Sequence, residues 1–108
     1  MAVEKIVRLE NCEYELINDY KNAFDLSLVK ERYTDYFDSF DYIFGDFSYD
    51  KVRLKGFYDK NSPQVSEINN IENLENYIKN YCAYDCRYFL LKKIKKVNKN
   101  SWIIYKIW

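Results

Sequence analysis

The sequence contains no histidine, and this absence excludes several kinds of active site at once. Histidine is the usual general base, the commonest metal ligand and the partner of a nucleophilic serine or cysteine. A structural zinc site requires four ligands, and the three cysteines, Cys12, Cys82 and Cys86, supply at most three. We therefore predict no catalytic residue, no metal and no cofactor.

Long apolar runs are also missing, and glycine and proline are scarce, with two glycines and one proline in the chain. Runs of only a few apolar residues are too short to cross a membrane. The first residues, MAVEKIVRLEN, lack an apolar segment of signal-peptide length. We therefore expect a cytoplasmic protein with no membrane association, in which the cysteines are reduced thiols.

Aromatic residues, by contrast, are abundant, at 19% of the chain with twelve tyrosines. Together with an apolar content of 48%, they exclude a disordered chain. The 108 residues are long enough for one domain with a real core, and no interdomain linker or repeat interrupts them. We therefore predict a single domain over residues 1–108.

Charge is balanced overall but unevenly distributed along the chain. Residues 1–50 carry 5 basic and 12 acidic side chains, whereas residues 51–108 carry 12 basic and 5 acidic ones. Two interpretations follow. Either the two halves fold together and neutralise each other, or the C-terminal half forms a basic surface.

The periodicity of apolar residues predicts an α+β fold, with elements in the order β-β-α-β-β-α-β-β. Short connections within the strand pairs favour a mainly antiparallel sheet of about five to six strands, with two helices packed on one face. The first helix follows Asp25, a plausible N-cap, and its apolar positions extend to Phe40. The predicted strands outside the central hairpin are Ile6–Glu10, Glu13–Ile17, Tyr88–Ile94 and Ser101–Trp108.

The segment Asp41–Asp59 predicts a β-hairpin around which the chain is organised. With the turn centred on Asp50 and Lys51, Asp46 faces Lys55 and Gly45 faces Gly56. Two facing glycines would leave a notch in the sheet where a backbone, a helix or a ligand comes close. Alternation assigns Ile43, Phe47, Leu54 and Tyr58 to a buried side, and Tyr42, Phe44, Asp46, Arg53, Lys55 and Phe57 to the opposite, polar side.

Two segments resemble the YutD-like family of small bacterial proteins from low-G+C Gram-positive lineages. They read FDYIFGDFSYDKVRLKGFY, ending at Tyr58, and NYIKNYCAYDCRYFLLKK, ending at Lys93. Phe47 and Val52 stand where the family pattern has Trp and Leu, which preserves apolar character. The resemblance covers roughly Glu13–Ile94. It implies a single α+β domain and implies no activity.

Cys82 and Cys86, four residues apart at the end of the second predicted helix, form the first candidate site. As small buried side chains they would pin the helix end to the sheet. A reversible disulfide or a metal site is the alternative, and packing is the interpretation that we favour.

The polar side of the hairpin is the second candidate site. Basic side chains interleaved with aromatic rings resemble sheets that hold single-stranded nucleic acid by base stacking and phosphate contacts. An ordinary exposed face with ladder salt pairs is the alternative. The candidate binding residues are Asp46, Arg53, Lys55, Phe44, Phe57, Lys92 and Lys93.

Three functional hypotheses follow. The first is a non-catalytic module that binds RNA or an RNA-protein assembly through the basic and aromatic sheet surface. The second is an adaptor that contacts a protein through the strand carrying Trp102 and Trp108 or through the notch at Gly45 and Gly56. The third is a small-molecule-binding or enzymatic domain centred on Asp46.

Overall fold

The fold is a five-stranded antiparallel sheet with two helices, as the sequence predicts. The computed structural model describes residues 5–82 and 86–96, so the predicted strand with Trp102 and Trp108 lies outside the described residues. The strand order is β1-β2-β5-β3-β4. Among the described residues, no helix is long and apolar enough to span a membrane. The elements are β1 (Ile6–Leu9), β2 (Cys12–Tyr20), α1 (Leu26–Arg32), β3 (Tyr42–Ser48), β4 (Lys51–Phe57), α2 (Leu74–Tyr81) and β5 (Tyr88–Lys96).

Strand β5 lies in the centre of the sheet and joins the two hairpins. Its register with β2 places Lys92 opposite Glu15. Directly opposed charges of opposite sign stabilise an antiparallel pair. The basic C-terminal half therefore lies against the acidic N-terminal half, which favours mutual neutralisation over a separate basic surface.

The two helices cover opposite faces of the sheet, so the expectation that both pack on one face is wrong. The core beneath α1 contains Val29, Phe89 and Leu91, whereas the core beneath α2 contains Phe44, Phe57 and Leu90. Adjacent side chains of a strand point to opposite faces. Because β5 is apolar on both sides, each face needs its own helical cover.

The central hairpin has the predicted faces but a different register. Its turn residues are Tyr49 and Asp50, both with positive φ, as a two-residue hairpin turn that follows the sheet twist requires. Asp46 therefore faces Arg53, and Gly45 faces Leu54. The predicted pairs Asp46–Lys55 and Gly45–Gly56 are wrong. The partner shifts by two residues, and a shift of two leaves each side chain on its own face.

Aromatic rings of this chain fill the predicted notch. A Cβ added at Gly45 would overlap the ring of Phe89, and one added at Gly56 would overlap the ring of Phe40. Both rings are buried, with Phe89 at 0% and Phe40 at 8% exposure. The glycines are therefore sites of close ring packing rather than an opening for a ligand.

The first helix ends earlier than the apolar pattern predicts. Asp25 caps it as expected and accepts hydrogen bonds from the backbone N–H groups of Ser27 and Leu28. After Arg32 the backbone becomes extended at Tyr33, and a 3-10 helix follows over Asp35–Ser39. The extended conformation at Tyr33 lets its hydroxyl reach the carboxylate of Asp38.

Candidate functional site

Asp46 lies at the centre of the polar side of the hairpin, but it is buried, with 2% exposure. Arg53 donates two hydrogen bonds to its carboxylate, from Nε to Oδ1 at 3.0 Å and from Nη2 to Oδ2 at 2.5 Å. These hydrogen bonds raise the pKa of Arg53. The Arg53 side chain is half exposed, at 49%. The prediction that Asp46 is reachable from solvent is therefore wrong. Of the two side chains in this ion pair, only Arg53 reaches the surface.

The aromatic residues of that side are buried because α2 lies over them. Phe44 is 1% exposed and Phe57 is 0% exposed. The ring of Tyr77, from α2, makes edge contacts with both, at centroid distances of 5.7 and 5.5 Å. The expected open stacking surface is therefore wrong for Phe44 and Phe57, which form the second core instead.

The predicted lysines do not gather on one surface. Lys55 places its Nζ 5.1 Å from the ring centroid of Phe57, at the margin of the second core. Lys93 donates from Nζ to the backbone carbonyl of Asp38 at 2.9 Å. Lys92 is exposed, and as a strand neighbour of Lys93 it faces the opposite side of the sheet. Lys92 shares the α2 face with Lys55, because both Lys92 and Phe57 pair with Tyr42, and the structure separates only Lys93 from the basic residues that the sequence grouped.

The two predicted cysteines meet Asp46. The thiol of Cys82 donates to Asp46 Oδ2 at 3.1 Å, and one ligand atom each from Asp46, Cys82 and Cys86 lies within 4.8 Å of the others. Burial, followed by the hydrogen bond to Asp46, raises the pKa of Cys82. A thiol that stays protonated is a poor nucleophile, so this arrangement suits packing better than covalent catalysis.

A groove of about 480 Å³ runs along α2 on the outer side of the second core. No sequence pattern indicates this groove, because its residues come from the loop before α2, from α2 and from β4. Ile68 and Tyr81 are strongly exposed there, at 79% and 66%. The groove, called the α2 groove below, is lined by Lys55, Glu67, Ile68, Asn73, Asn76, Tyr77, Asn80 and Tyr81.

A buried polar network on the α1 side was also missed by sequence reasoning. Asp38 accepts hydrogen bonds from the hydroxyl of Tyr33 at 2.5 Å and from the thiol of Cys12 at 3.6 Å. The hydroxyls of Tyr33 and Tyr14 lie 2.9 Å apart. Cys12 is therefore remote from the other two cysteines. The residues next to Cys12 in the sequence, Asn11 and Glu13, are polar, so no sequence pattern indicated its burial or its partners.

This network predicts a loss of stability at alkaline pH. Burial is the main reason why the pKa values of Tyr14 and Tyr33 are raised in the folded protein. In the unfolded chain both tyrosines ionise near pH 10. Their contribution to the free energy of unfolding is therefore complete below pH 10 and falls as the pH rises further. Each group can add about 1.4 kcal/mol per pH unit to this fall. Urea unfolding at several pH values should show a shallower fall in Tyr14→Phe. An equal slope in both proteins would contradict the prediction.

Comparisons with known proteins agree with the resemblance found in the sequence. The family model described as "YutD-like: Putative antitoxin YutD-like" matches residues 8–92. A relative from Bacillus subtilis (strain 168), named "Putative antitoxin YutD", is 38% identical over 91 residues, which are 84% of this chain and all of the relative. The solution NMR structure of the yutD protein from B. subtilis superposes with a TM-score of 0.72 at 37% identity. It covers 90% of this chain and 88% of that chain. This chain belongs to the YutD-like family.

Proposed function

We propose that this protein is a non-catalytic binding module that binds a protein partner through the α2 groove. The observation that carries the proposal is that two strongly exposed residues, Ile68 and Tyr81, line a single concave surface. Large apolar and aromatic side chains that remain exposed on one surface are typical of protein contact sites.

Two neighbouring aromatic rings of α2 line the groove. The rings of Tyr77 and Tyr81 lie 5.0 Å apart, and Tyr77 rests with its ring edge against Phe57. Lys55 places its Nζ 5.9 Å from the centroid of Tyr77. A partner would therefore meet a preformed surface, which lowers the entropy cost of binding.

The polar groups of the groove suit a polypeptide. Three side-chain amides line it, from Asn73, Asn76 and Asn80, and each can donate to or accept from a peptide backbone. Its charged residues are one lysine, Lys55, and one glutamate, Glu67. A groove with balanced charge gives little attraction to a phosphate backbone, which requires a basic surface.

The B. subtilis relative is named "Putative antitoxin YutD", and such a name is consistent with a protein partner. The adaptor hypothesis placed the protein contact either at Trp102 and Trp108, which lie outside the described residues, or at the glycine notch, which aromatic rings fill. The α2 groove offers a contact site that does not depend on that strand.

The RNA hypothesis has less support. The rings that were expected to stack on bases, Phe44 and Phe57, are buried in the second core. Arg53 is engaged by Asp46, and Lys92 lies opposite Glu15. Among the candidate residues, Lys55 still lies beside an accessible aromatic ring, that of Tyr77.

The proposal predicts that Tyr81→Ala weakens partner binding by about 2 kcal/mol, or roughly thirtyfold, as expected for an aromatic residue at the centre of an interface. Affinity capture from native lysate, followed by titration of the identified partner, measures this. The matched control is Tyr49→Ala, because Tyr49 is 96% exposed at the hairpin turn, outside the groove. It should bind as the wild type does.

Retention on polyU resin during a salt titration tests the RNA alternative in parallel. The proposal predicts elution at low salt, whereas several phosphate contacts would give a steep fall of affinity with salt concentration. Equal partner binding by the Tyr81→Ala and wild-type proteins, or salt-dependent polyU retention that Lys55→Glu abolishes, would contradict the proposal.

A further inference from the structure

We infer that Asp46, Cys82 and Cys86 form a binding site for one zinc ion. The site is distinct from the α2 groove, and neither the family description nor the names of the relatives mention a metal. Counting only cysteine and histidine as zinc ligands made packing the favoured interpretation of Cys82 and Cys86, with a metal site as an alternative. In the structure the third potential ligand beside these two cysteines is the Asp46 carboxylate and not Cys12.

The distances fit a single ion. Zinc binds sulfur at about 2.3 Å and carboxylate oxygen at about 2.0–2.2 Å in tetrahedral geometry, so neighbouring ligand atoms lie about 3.5–3.8 Å apart. The Cys82 Sγ to Asp46 Oδ2 distance is 3.1 Å, and all three ligand atoms lie within 4.8 Å of one another. If the three ligand atoms shifted by up to about an ångström, they would surround one ion at these distances.

The three ligands come from different parts of the fold. Asp46 lies on β3, Cys82 directly follows α2, and Cys86 lies two residues before β5 begins. Asp46 pairs with Tyr88, the first residue of β5, so the sheet register itself brings Cys86 towards Asp46. An ion here would therefore tie the end of α2 to the two strands beneath it.

The charges around the site match a divalent ion. Two thiolates and one carboxylate carry three negative charges, and zinc together with the Arg53 guanidinium carries three positive ones. A partly buried site in which charges cancel avoids the large cost of an unpaired buried charge. Arg53 also holds the Asp46 carboxylate through two hydrogen bonds, as residues behind metal ligands commonly do.

The fourth position is open to water. Cys82 and Cys86 are both partly exposed, so an ion and a water molecule can reach the site from solvent. Soft thiolate ligands with one carboxylate favour zinc over magnesium or calcium, which prefer oxygen ligands only. When the ion binds, it displaces the thiol protons of Cys82 and Cys86, and both protons pass to solvent. Before binding, the Cys82 proton lies between Cys82 and Asp46.

Cobalt(II) titration of the reduced full-length protein tests the inference. Cobalt replaces zinc in tetrahedral sites and gives a thiolate-to-metal charge-transfer band. We expect a band that saturates at one ion per chain and disappears when one equivalent of zinc is added. Cys82→Ser and Cys86→Ser should each weaken cobalt binding by at least about tenfold, the smallest loss typical even for residues behind a metal ligand.

Cys12→Ala is the matched control, because Cys12 is a buried thiol that contacts Asp38 instead. It should keep the full band, and near-ultraviolet circular dichroism should show that each variant is folded. A folded, reduced wild-type protein without a charge-transfer band would overturn the inference. So would a band that persists in Cys86→Ser, or one that Cys12→Ala loses while still folded.

Discussion

Replacing Phe89 by alanine should lower the free energy of unfolding by about 3–5 kcal/mol, the largest effect expected for a single substitution here. Phe89 is fully buried on the central strand, it contacts the ring of Phe24 edge-on at 5.2 Å, and it covers the backbone of Gly45. Alanine removes the ring and leaves a cavity at the centre of the α1 core. Urea denaturation measures the change.

Substitutions at Gly45 test directly whether the Phe89 ring packs on this glycine. In the wild-type protein Gly45→Ala should cost about 1–3 kcal/mol, because its methyl group overlaps the Phe89 ring. In the Phe89→Ala background the methyl group enters the cavity, and the cost should largely disappear. Gly56→Ala is the matched control, since it meets Phe40 and should cost the same in both backgrounds. An equal cost of Gly45→Ala in both backgrounds would show that the ring does not pack on Gly45.

Replacing Arg53 by methionine should destabilise the protein by about 3 kcal/mol, because it leaves the buried carboxylate of Asp46 without its counter-charge. We place the effect at the lower end of the range of about 3–5 kcal/mol for broken buried pairs, since Arg53 is half exposed and solvent screens part of the interaction. Chemical denaturation near neutral pH measures it.

Adding Asp46→Asn to Arg53→Met is the informative control. The amide removes the buried charge, so the double variant should be more stable than Arg53→Met alone. Arg8→Met serves as the comparison for an exposed arginine, since Arg8 donates a hydrogen bond to the nearby backbone carbonyl of Glu10. If Arg53→Met were no more destabilising than Arg8→Met, the buried ion pair would not contribute to stability.

Periodicity correctly predicted which hairpin side chains share a face, but it predicted the burial of those faces only in part. Alternation placed Ile43 and Tyr58 on the buried side, and both are buried. It also marked the side with Asp46 as polar, and from that we expected exposure. A strand pattern shows which side chains share a face, but it cannot show that a helix from residues 74–81 will cover that face.

The candidate site was harder to predict because its contacts join distant parts of the chain. Cys82 and Asp46 are 36 residues apart, and no local rule links a hairpin carboxylate to a thiol beyond the next helix. The register error had a local cause. Tyr49 is an unusual turn residue, since positive φ is costly for a bulky side chain, and the favoured Asn-Gly and Asp-Gly signals are absent.

The central claim is that a protein partner occupies the α2 groove, and site-specific photocrosslinking in living cells tests it most directly. A photoreactive phenylalanine analogue replaces Tyr81 in one variant and Tyr49 in another, so that both substitutions exchange one exposed aromatic residue for another. We predict a discrete crosslinked protein from position 81 and none from position 49. Crosslinks from position 49 alone, or crosslinks from position 81 to RNA, would contradict the account.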